Sequence, residues 1–195
     1  MRSAATVPPA GPFTVWLASY PKSGNTWARA VMRSLCEPPR GSRPGGPPVD
    51  INALEGGPIA SCRYALDARL GFASSDLLPD EIDALRPACD AALDRELTGV
   101  WFRKVHDGLF TGPGATPIVP PAATRAVAYL VRDPRDVAVS FAHFSARPPS
   151  WAVEQMANPD ATLVGQAHRL HGQVRQRLGT WSDHVAGWTG HDLFP

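Results

Sequence analysis

The sequence predicts an α/β domain in which strands of a parallel sheet alternate with helical segments and ligands bind beyond the strand ends. Short apolar runs rich in strand formers recur at residues 13–18 (FTVWLA), 99–106 (GVWFRKVH) and 126–131 (AVAYLV). Two of these runs end in a polar loop that leads directly into a helical pattern, at residues 19–25 and at Arg132-Asp133-Pro134. With 195 residues, 44% of them hydrophobic, the chain can bury a core and reads as one domain over 1–195.

After the first loop, Trp27, Ala30, Val31 and Leu35 share one helix face at i, i+3, i+4 and i+8, while Arg29 and Arg33 point elsewhere. The Pro- and Gly-rich stretch 37–57 reads as an irregular loop inserted in the domain. Residues 80–97 are helical in composition, with Ile82, Leu85, Cys89, Ala92 and Leu93 on one side and Pro87 expected to kink or divide the helix. In the strand 99–106 the period of two sets Phe102, Lys104 and His106 on one side. Residues 126–131 are apolar throughout, as expected for a parallel strand covered on both faces. Asp133 then fits a helix cap, Pro134 the first helical position, and Val137, Phe141 and Phe144 a buried stripe. Helical character returns over 161–178, and residues 181–188 (WSDHVAGW) close the pattern.

Composition excludes several classes of function. A net charge of +1 gives no global field to gather nucleic acid or an anionic membrane, so any anion site must be local. Cys36, Cys62 and Cys89 are widely spaced and odd in number, which argues against a disulfide framework or a zinc site and for a reducing, cytoplasmic setting. Residues 1–12 carry prolines where a signal peptide needs an apolar run, and no stretch approaches the length of a membrane span.

The chemistry concentrates in the two loops. A strand-to-helix turn aims backbone N–H groups and the positive helix end at one point, which suits phosphate or sulfate. Lys22, Ser23 and Thr26 add a cation and two hydroxyls to the first loop. Alone, that loop fits a capped helix carrying a surface lysine equally well. The nucleoside triphosphatase pattern GxxxxGK[ST] is absent, and no magnesium carboxylate follows an apolar strand, which disfavours a P-loop kinase. The second loop offers the guanidinium groups of Arg132 and Arg135, unless Arg135 pairs with a neighbouring acid. Ser140 shares a side with Val137 and Phe141 and reads equally as a small buried residue bonded to a backbone carbonyl.

The run Tyr20-Pro21-Lys22-Ser23-Gly24-Asn25-Thr26-Trp27 resembles the 5′-phosphosulfate loop of sulfotransferases that use 3′-phosphoadenosine 5′-phosphosulfate (PAPS), Tyr-Pro-Lys-Ser-Gly-Thr-Thr-Trp, and departs from it at Asn25. The run from Tyr129 to Phe141 (YLVRDPRDVAVSF) is similar to that family's 3′-phosphate segment, with Arg132 and Ser140 at the phosphate-binding positions. Lys104-Val105-His106 resembles the family's Lys-Thr-His, and residues 181–188 resemble its Trp-x-Asp-His-Val-x-x-Trp.

The resemblance implies a P-loop-like three-layer domain with a central parallel sheet. It implies transfer of a sulfuryl group from PAPS to a hydroxyl or amine of a small-molecule acceptor, leaving PAP, with no metal. Catalytic roles fall to His106 as general base, to Lys22 at the bridging oxygen and to Lys104 at the sulfuryl oxygens. Lys22, Ser23, Gly24, Asn25, Thr26 and Trp27 would hold the 5′ end, partly through backbone N–H groups, and Arg132 and Ser140 the 3′-phosphate.

Of the other histidines, His143, His168, His171, His184 and His191, none lies at a strand end beside a lysine. Asp183 and His184 are helical neighbours that point apart, which favours a structural role. Family members continue past the Trp-Asp-His-Val-Trp segment into another strand and an Arg-Lys-Gly stretch. The expectation is therefore a domain truncated at its C-terminus, and the alternative to an active enzyme is a weak or inactive relative that at most binds PAP or PAPS. The acceptor segment, residues 41–97, holds no specificity motif; Arg63, Tyr64 and Phe72 are candidates to line the pocket, with packing and surface as their default. Oligomeric state is left open.

Overall fold

The structure, a computed structural model, describes residues 13–36, 58–94, 99–110, 117–121, 124–164, 172–190 and 193–194. The loop read at 37–57 and the histidines at 168, 171 and 191 lie outside these residues.

Three parallel strands form the sheet, in the order β2-β1-β3, with β1 (Phe13–Ser19) between β2 (Val100–Val105) and β3 (Thr124–Leu130). Ala18 is level with Val105 on one side and with Tyr129 on the other, so all three strands end at one edge. The chain is mixed α/β, as its alternating pattern predicts. Trp16 and Ala18 are fully buried and pack with Val105, Leu109, Val119 and Trp188. The outer strand β3 is less covered than its apolar run suggests, with Ala128 exposed and Val127 and Tyr129 half-buried.

Helix α1 (Asn25–Cys36) packs on β1 and β2, but its apolar stripe is not a buried one. Trp27 and Leu35 are each 72% exposed, and only Ala30 and Val31 are half-buried. Trp27 stands in the first turn, beyond the sheet edge, where its ring lines a cavity instead of the core. Helix α2 (Arg63–Leu70) leads to α3 (Pro79–Asp94), which runs unbroken through Pro87.

Two arginines tie α3 to the sheet from inside the protein. Arg86 donates to both carboxylate oxygens of Asp107, at 2.9 and 2.8 Å, and to the carbonyls of Arg175 and Ala60. Arg103 of β2 pairs with Asp90, donates to the Pro58 carbonyl and lies over the Trp16 ring. Buried charges persist only when paired and hydrogen-bonded in this way.

Asp133 caps α4 (Pro134–Ser145) by accepting from the Arg135 N–H, with Pro134 at the first position. Val137 and Phe141 are buried as expected, but Phe144 is 72% exposed. After α5 (Pro149–Ala157), residues 161–178 are not the expected helix. They contain a two-stranded antiparallel ribbon, β4 (Thr162–Leu163) with β5 (Gln176–Arg177), and residues 165–171 lie outside the description. The ribbon docks where Gly108 N donates to Arg177 O at 2.7 Å and Arg177 N to Asp107 Oδ1 at 3.2 Å. Tertiary bonds to the strand end thus override the local helical composition.

Helix α6 (Trp181–Thr189) is capped by Thr180, whose hydroxyl accepts from Asp183 N. His184 and Trp188, one turn apart, donate to consecutive carbonyls, His184 Nε2 to His106 O and Trp188 Nε1 to Asp107 O, both at 3.0 Å. Such close approach needs a glycine between them, because a Cβ at Gly187 would meet Leu109 O at 2.4 Å. Among the described residues no helix is long and apolar enough to cross a membrane. Gly187→Ala should therefore push α6 off the strand end and destabilise the fold by about 1–3 kcal/mol, as overpacking does. A lowered urea midpoint with unchanged slope checks this; an unaltered midpoint would mean that α6 does not depend on the contact.

Candidate active site

The residues singled out in the sequence come together where the three strands end. One cavity of about 1040 Å³ is lined by Lys22, Gly24, Asn25, Thr26, Trp27, Lys104, His106, Arg132 and Ser140. Its volume lies at the upper end of the range that ligand sites occupy.

The first loop owes its shape to two residues in the left-handed region, Lys22 at φ 70° and Gly24 at φ 99°. Glycine adopts that conformation at no steric cost, whereas lysine does so with strain of the kind that concentrates at functional sites. The Lys22 ammonium lies 4.3 Å from the centre of the Phe144 ring, which explains why Phe144 leaves the core: it forms a wall of the cavity and a seat for the cation. Arg132 donates to the Lys22 carbonyl at 3.2 Å, so the two loops are joined across the cavity.

Several assigned side chains face elsewhere. Ser23 is buried, its Oγ without a partner, and does not line the cavity. The Asn25 amide turns inward, donating to Leu17 O at 2.7 Å and to Ser19 Oγ at 3.1 Å, so the side chain braces the loop while the residue lines the cavity. Arg135 folds back on Asp133 with contacts of 3.0 and 2.6 Å, the pairing with a neighbouring acid left open by the sequence. That guanidinium holds the Asp133 carboxyl down at about 2. Arg63 donates to Ser74, and Tyr64 and Phe72 are exposed away from the cavity, so all three keep their default roles.

His106 is buried beside Lys104. Its Nδ1 lies 2.7 Å from Ser19 O, and because a carbonyl only accepts, Nδ1 carries the proton. Nε2 then holds a lone pair, and His106 is among the residues that line the cavity. Burial, followed by the charges of Lys104 and Lys22, lowers the ring's pKa to about 3. Lys104 is itself lowered, first by burial and then by the charges of Arg29 and Lys22.

His184 has no free nitrogen: Nε2 donates to His106 O, and Nδ1 accepts from the Tyr129 hydroxyl at 2.8 Å. Its ring also stacks on Tyr129 and meets Tyr20 edge-on. Burial lowers its pKa to about 4. The structural role expected for Asp183 and His184 therefore holds for His184, while Asp183 is exposed near the helix start.

The remaining wall was not legible in the sequence. Thr162, Leu163 and Val164 line it from β4 onward, and Gln173 and Gln176 from the approach to β5. Gln176 Nε2 donates to Gln173 Oε1, which also accepts from Ser61. Among the described residues lining the cavity there are three basic side chains, Lys22, Lys104 and Arg132, and no carboxylate, and no described group of His, Cys, Asp or Glu could hold a metal. Comparison of the chain with protein-family models and with curated proteins finds no match.

The two buried histidines make stability depend on pH. Each stays neutral in the fold down to its lowered pKa, about 3 for His106 and about 4 for His184, whereas an unfolded chain takes up both protons near 6.5. Stability is therefore fully present above pH 6.5 and falls as the pH drops below it, by about 1.4 kcal/mol per pH unit for each ring. Urea denaturation at pH 7.5 and at about pH 5 should show a weaker fold at the lower value. Equal stabilities would mean that the folded rings accept protons.

Proposed function

We propose that the chain is a sulfotransferase that uses PAPS as donor and an uncharged hydroxyl of a small-molecule acceptor, forming a sulfate ester and PAP. The observation that carries the reading is the convergence of Lys22, Lys104, His106, Arg132 and Ser140, from three separate strand ends, on one cavity. Two strand-to-helix turns at the edge of a parallel sheet suit a ligand with two separated anionic ends and support a P-loop-like, three-layer reading of the fold. Free thiols at Cys62 and Cys89 support a reducing, cytoplasmic setting.

The donor supplies an activated sulfuryl group and a stable leaving phosphate, so the protein's share is positioning and charge stabilisation. Arg132 and Ser140 bind the 3′-phosphate, while Lys22, Gly24 and Thr26 hold the 5′ end and Trp27 lies against the nucleotide. His106 Nε2 takes the acceptor's proton as the acceptor oxygen bonds to sulfur and the bond from sulfur to the phosphate oxygen breaks. Lys22 meets the charge that develops on that departing oxygen, and Lys104 faces the sulfuryl oxygens. Negative charge between Lys22 and Lys104 offsets the part of the downward shift of His106 that those cations add to burial, which makes the ring a stronger base.

The acceptor wall favours a hydroxyl over an amine. Leu163, Val164 and Phe141 offer apolar surface, Gln173 and Gln176 neutral hydrogen-bonding groups, and no described lining carboxylate would hold an ammonium ion among three cations.

Calorimetric titration with PAP, followed by transfer from PAPS to a panel of alcohols, phenols and amines, tests the reading. Absence of both binding and transfer overturns it; PAP binding without transfer would leave a nucleotide-binding relative. His106→Ala should reduce transfer by about 10²–10⁴-fold, the usual worth of a general base, with PAP affinity nearly unchanged. Retention of most of the activity would remove His106 from the mechanism. Arg132→Ala should weaken PAPS but leave the analogue lacking the 3′-phosphate unaffected, by about tenfold or more for one lost charge-assisted contact. Equal losses for both donors would place Arg132 elsewhere.

A further inference from the structure

We infer that Asn25 is a positioning residue for His106, acting through Ser19, and not a ligand of an anion in the cavity. The inference rests on the proposed function only where turnover is measured, because its first readout is the state of the histidine ring. The path runs through three buried side chains: Asn25 is 4% exposed, Ser19 0% and His106 8%.

The chemistry of the contacts fixes their direction. Asn25 Nδ2 lies 2.7 Å from Leu17 O, a group that can only accept, so this end of the amide is the nitrogen. Its second hydrogen goes to Ser19 Oγ at 3.1 Å. Both donors are then spent, and the remaining atom, Oδ1, is a buried acceptor without a partner. An acceptor cannot bind a phosphate or sulfate oxygen, so the side chain has nothing left to offer the ligand. A partnerless buried oxygen is costly, and the two donations made by the nitrogen are what that cost secures.

Those donations span the ends of the anion loop. Asn25 opens α1, while Leu17 and Ser19 belong to the last turns of β1, so one amide clips the strand end to the helix start. Ser19 then presents two oxygens to His106 Nδ1, its carbonyl at 2.7 Å and its hydroxyl at 3.2 Å. The carbonyl, the nearer oxygen, is the target of the Nδ1 hydrogen and leaves Nε2 unprotonated, and Asn25, by tying Leu17 and Ser19 to the start of α1, holds that carbonyl in place. Without the clip Ser19 is free to shift, the carbonyl contact to Nδ1 loosens, and the opposite tautomer, in which Nε2 carries the proton and cannot act as a base, gains population.

The test compares the parent with Asn25→Ala, Asn25→Thr, Ser19→Ala and the double alanine variant. Nitrogen-15 NMR of the His106 ring, assigned with His106→Ala, reads the tautomer. Calorimetry reads PAP affinity, and single-turnover transfer from PAPS reads the chemical step. In the parent, Nδ1 should be protonated and Nε2 bare. Asn25→Ala should populate the second tautomer or set the ring exchanging, lower the chemical step by about tenfold or more, and change PAP affinity by no more than about threefold. Asn25→Thr, with one donor in place of two, should fall between. Because Asn25 and Ser19 act in series, the double variant should be little worse than the poorer single one.

The inference fails if Asn25→Ala leaves the His106 ring unchanged, if it costs PAP affinity as much as turnover, or if the two alanine effects simply add. Should Asn25→Ala not fold, the ring spectrum of Asn25→Thr decides in the same way. Should the parent transfer no sulfuryl group while the ring still responds to Asn25, the function is wrong and the positioning is right.

Discussion

Everything around the cavity depends on how the chain is held immediately after β2. There the carbonyls of His106 and Asp107 accept from His184 and Trp188, and the Asp107 carboxylate accepts from Arg86 and from the backbone of Arg177. A strand end is normally free to fray. Here α3, α6 and the β4–β5 ribbon all fasten to the same two residues, and the histidine between them inherits their rigidity. The Arg86–Asp107 pair need not contribute net stability, since desolvation offsets much of its attraction, but loss of one partner would leave a buried charge and cost about 3–5 kcal/mol. Its effect is to specify one arrangement of α3 and the ribbon relative to the sheet.

The cations fall into two groups that differ in what faces them. Arg86, Arg103 and Arg175 each meet carboxylates, from Asp107, Asp90 and the Asp80 and Asp83 pair respectively. At the cavity, Lys22 rests on the Phe144 ring, and Arg132 reaches the Lys22 carbonyl and stands 3.7 Å from Asp136. A ring, a carbonyl and one long contact neutralise little charge, so the field of the cavity remains positive although the chain as a whole is nearly neutral. Burial is the first cause of the downward shift of His106, and the neighbouring Lys104 and, more weakly, Lys22 add to it in the same direction.

What could be read from the sequence was what short-range pattern controls. The three strands, the Asp133-Pro134 start of α4 and the company of Lys104 with His106 follow from period and capping, which need no knowledge of partners. The failures share one cause. Trp27, Phe144 and the 161–178 region carry local patterns that a helix or core would satisfy, but a cavity and a docked strand end recruit them instead. Arg86, Asp107 and the two glutamines were invisible because their roles are defined by residues distant in the chain, as with Arg86 and Arg175, which are 89 positions apart. The bracing of the strand end by the Asn25 amide was invisible for a related reason, since only the orientation of that amide reveals it.

The two buried histidines show how the assignment of a base follows from bookkeeping of ring nitrogens. Both rings are neutral and depressed by burial, and both lie within the same hydrogen-bonded cluster. His184 spends one nitrogen as donor and the other as acceptor, which locks its tautomer and leaves no lone pair for chemistry. His106 spends Nδ1 on Ser19 and, with Lys104, lines the cavity, and no hydrogen bond engages its second nitrogen among those described. The first histidine fixes the backbone carbonyl of the second, so the ring with no free nitrogen positions the ring that has one. Proximity and residue type are the same for both; the difference in commitment is what assigns one to structure and the other to proton transfer.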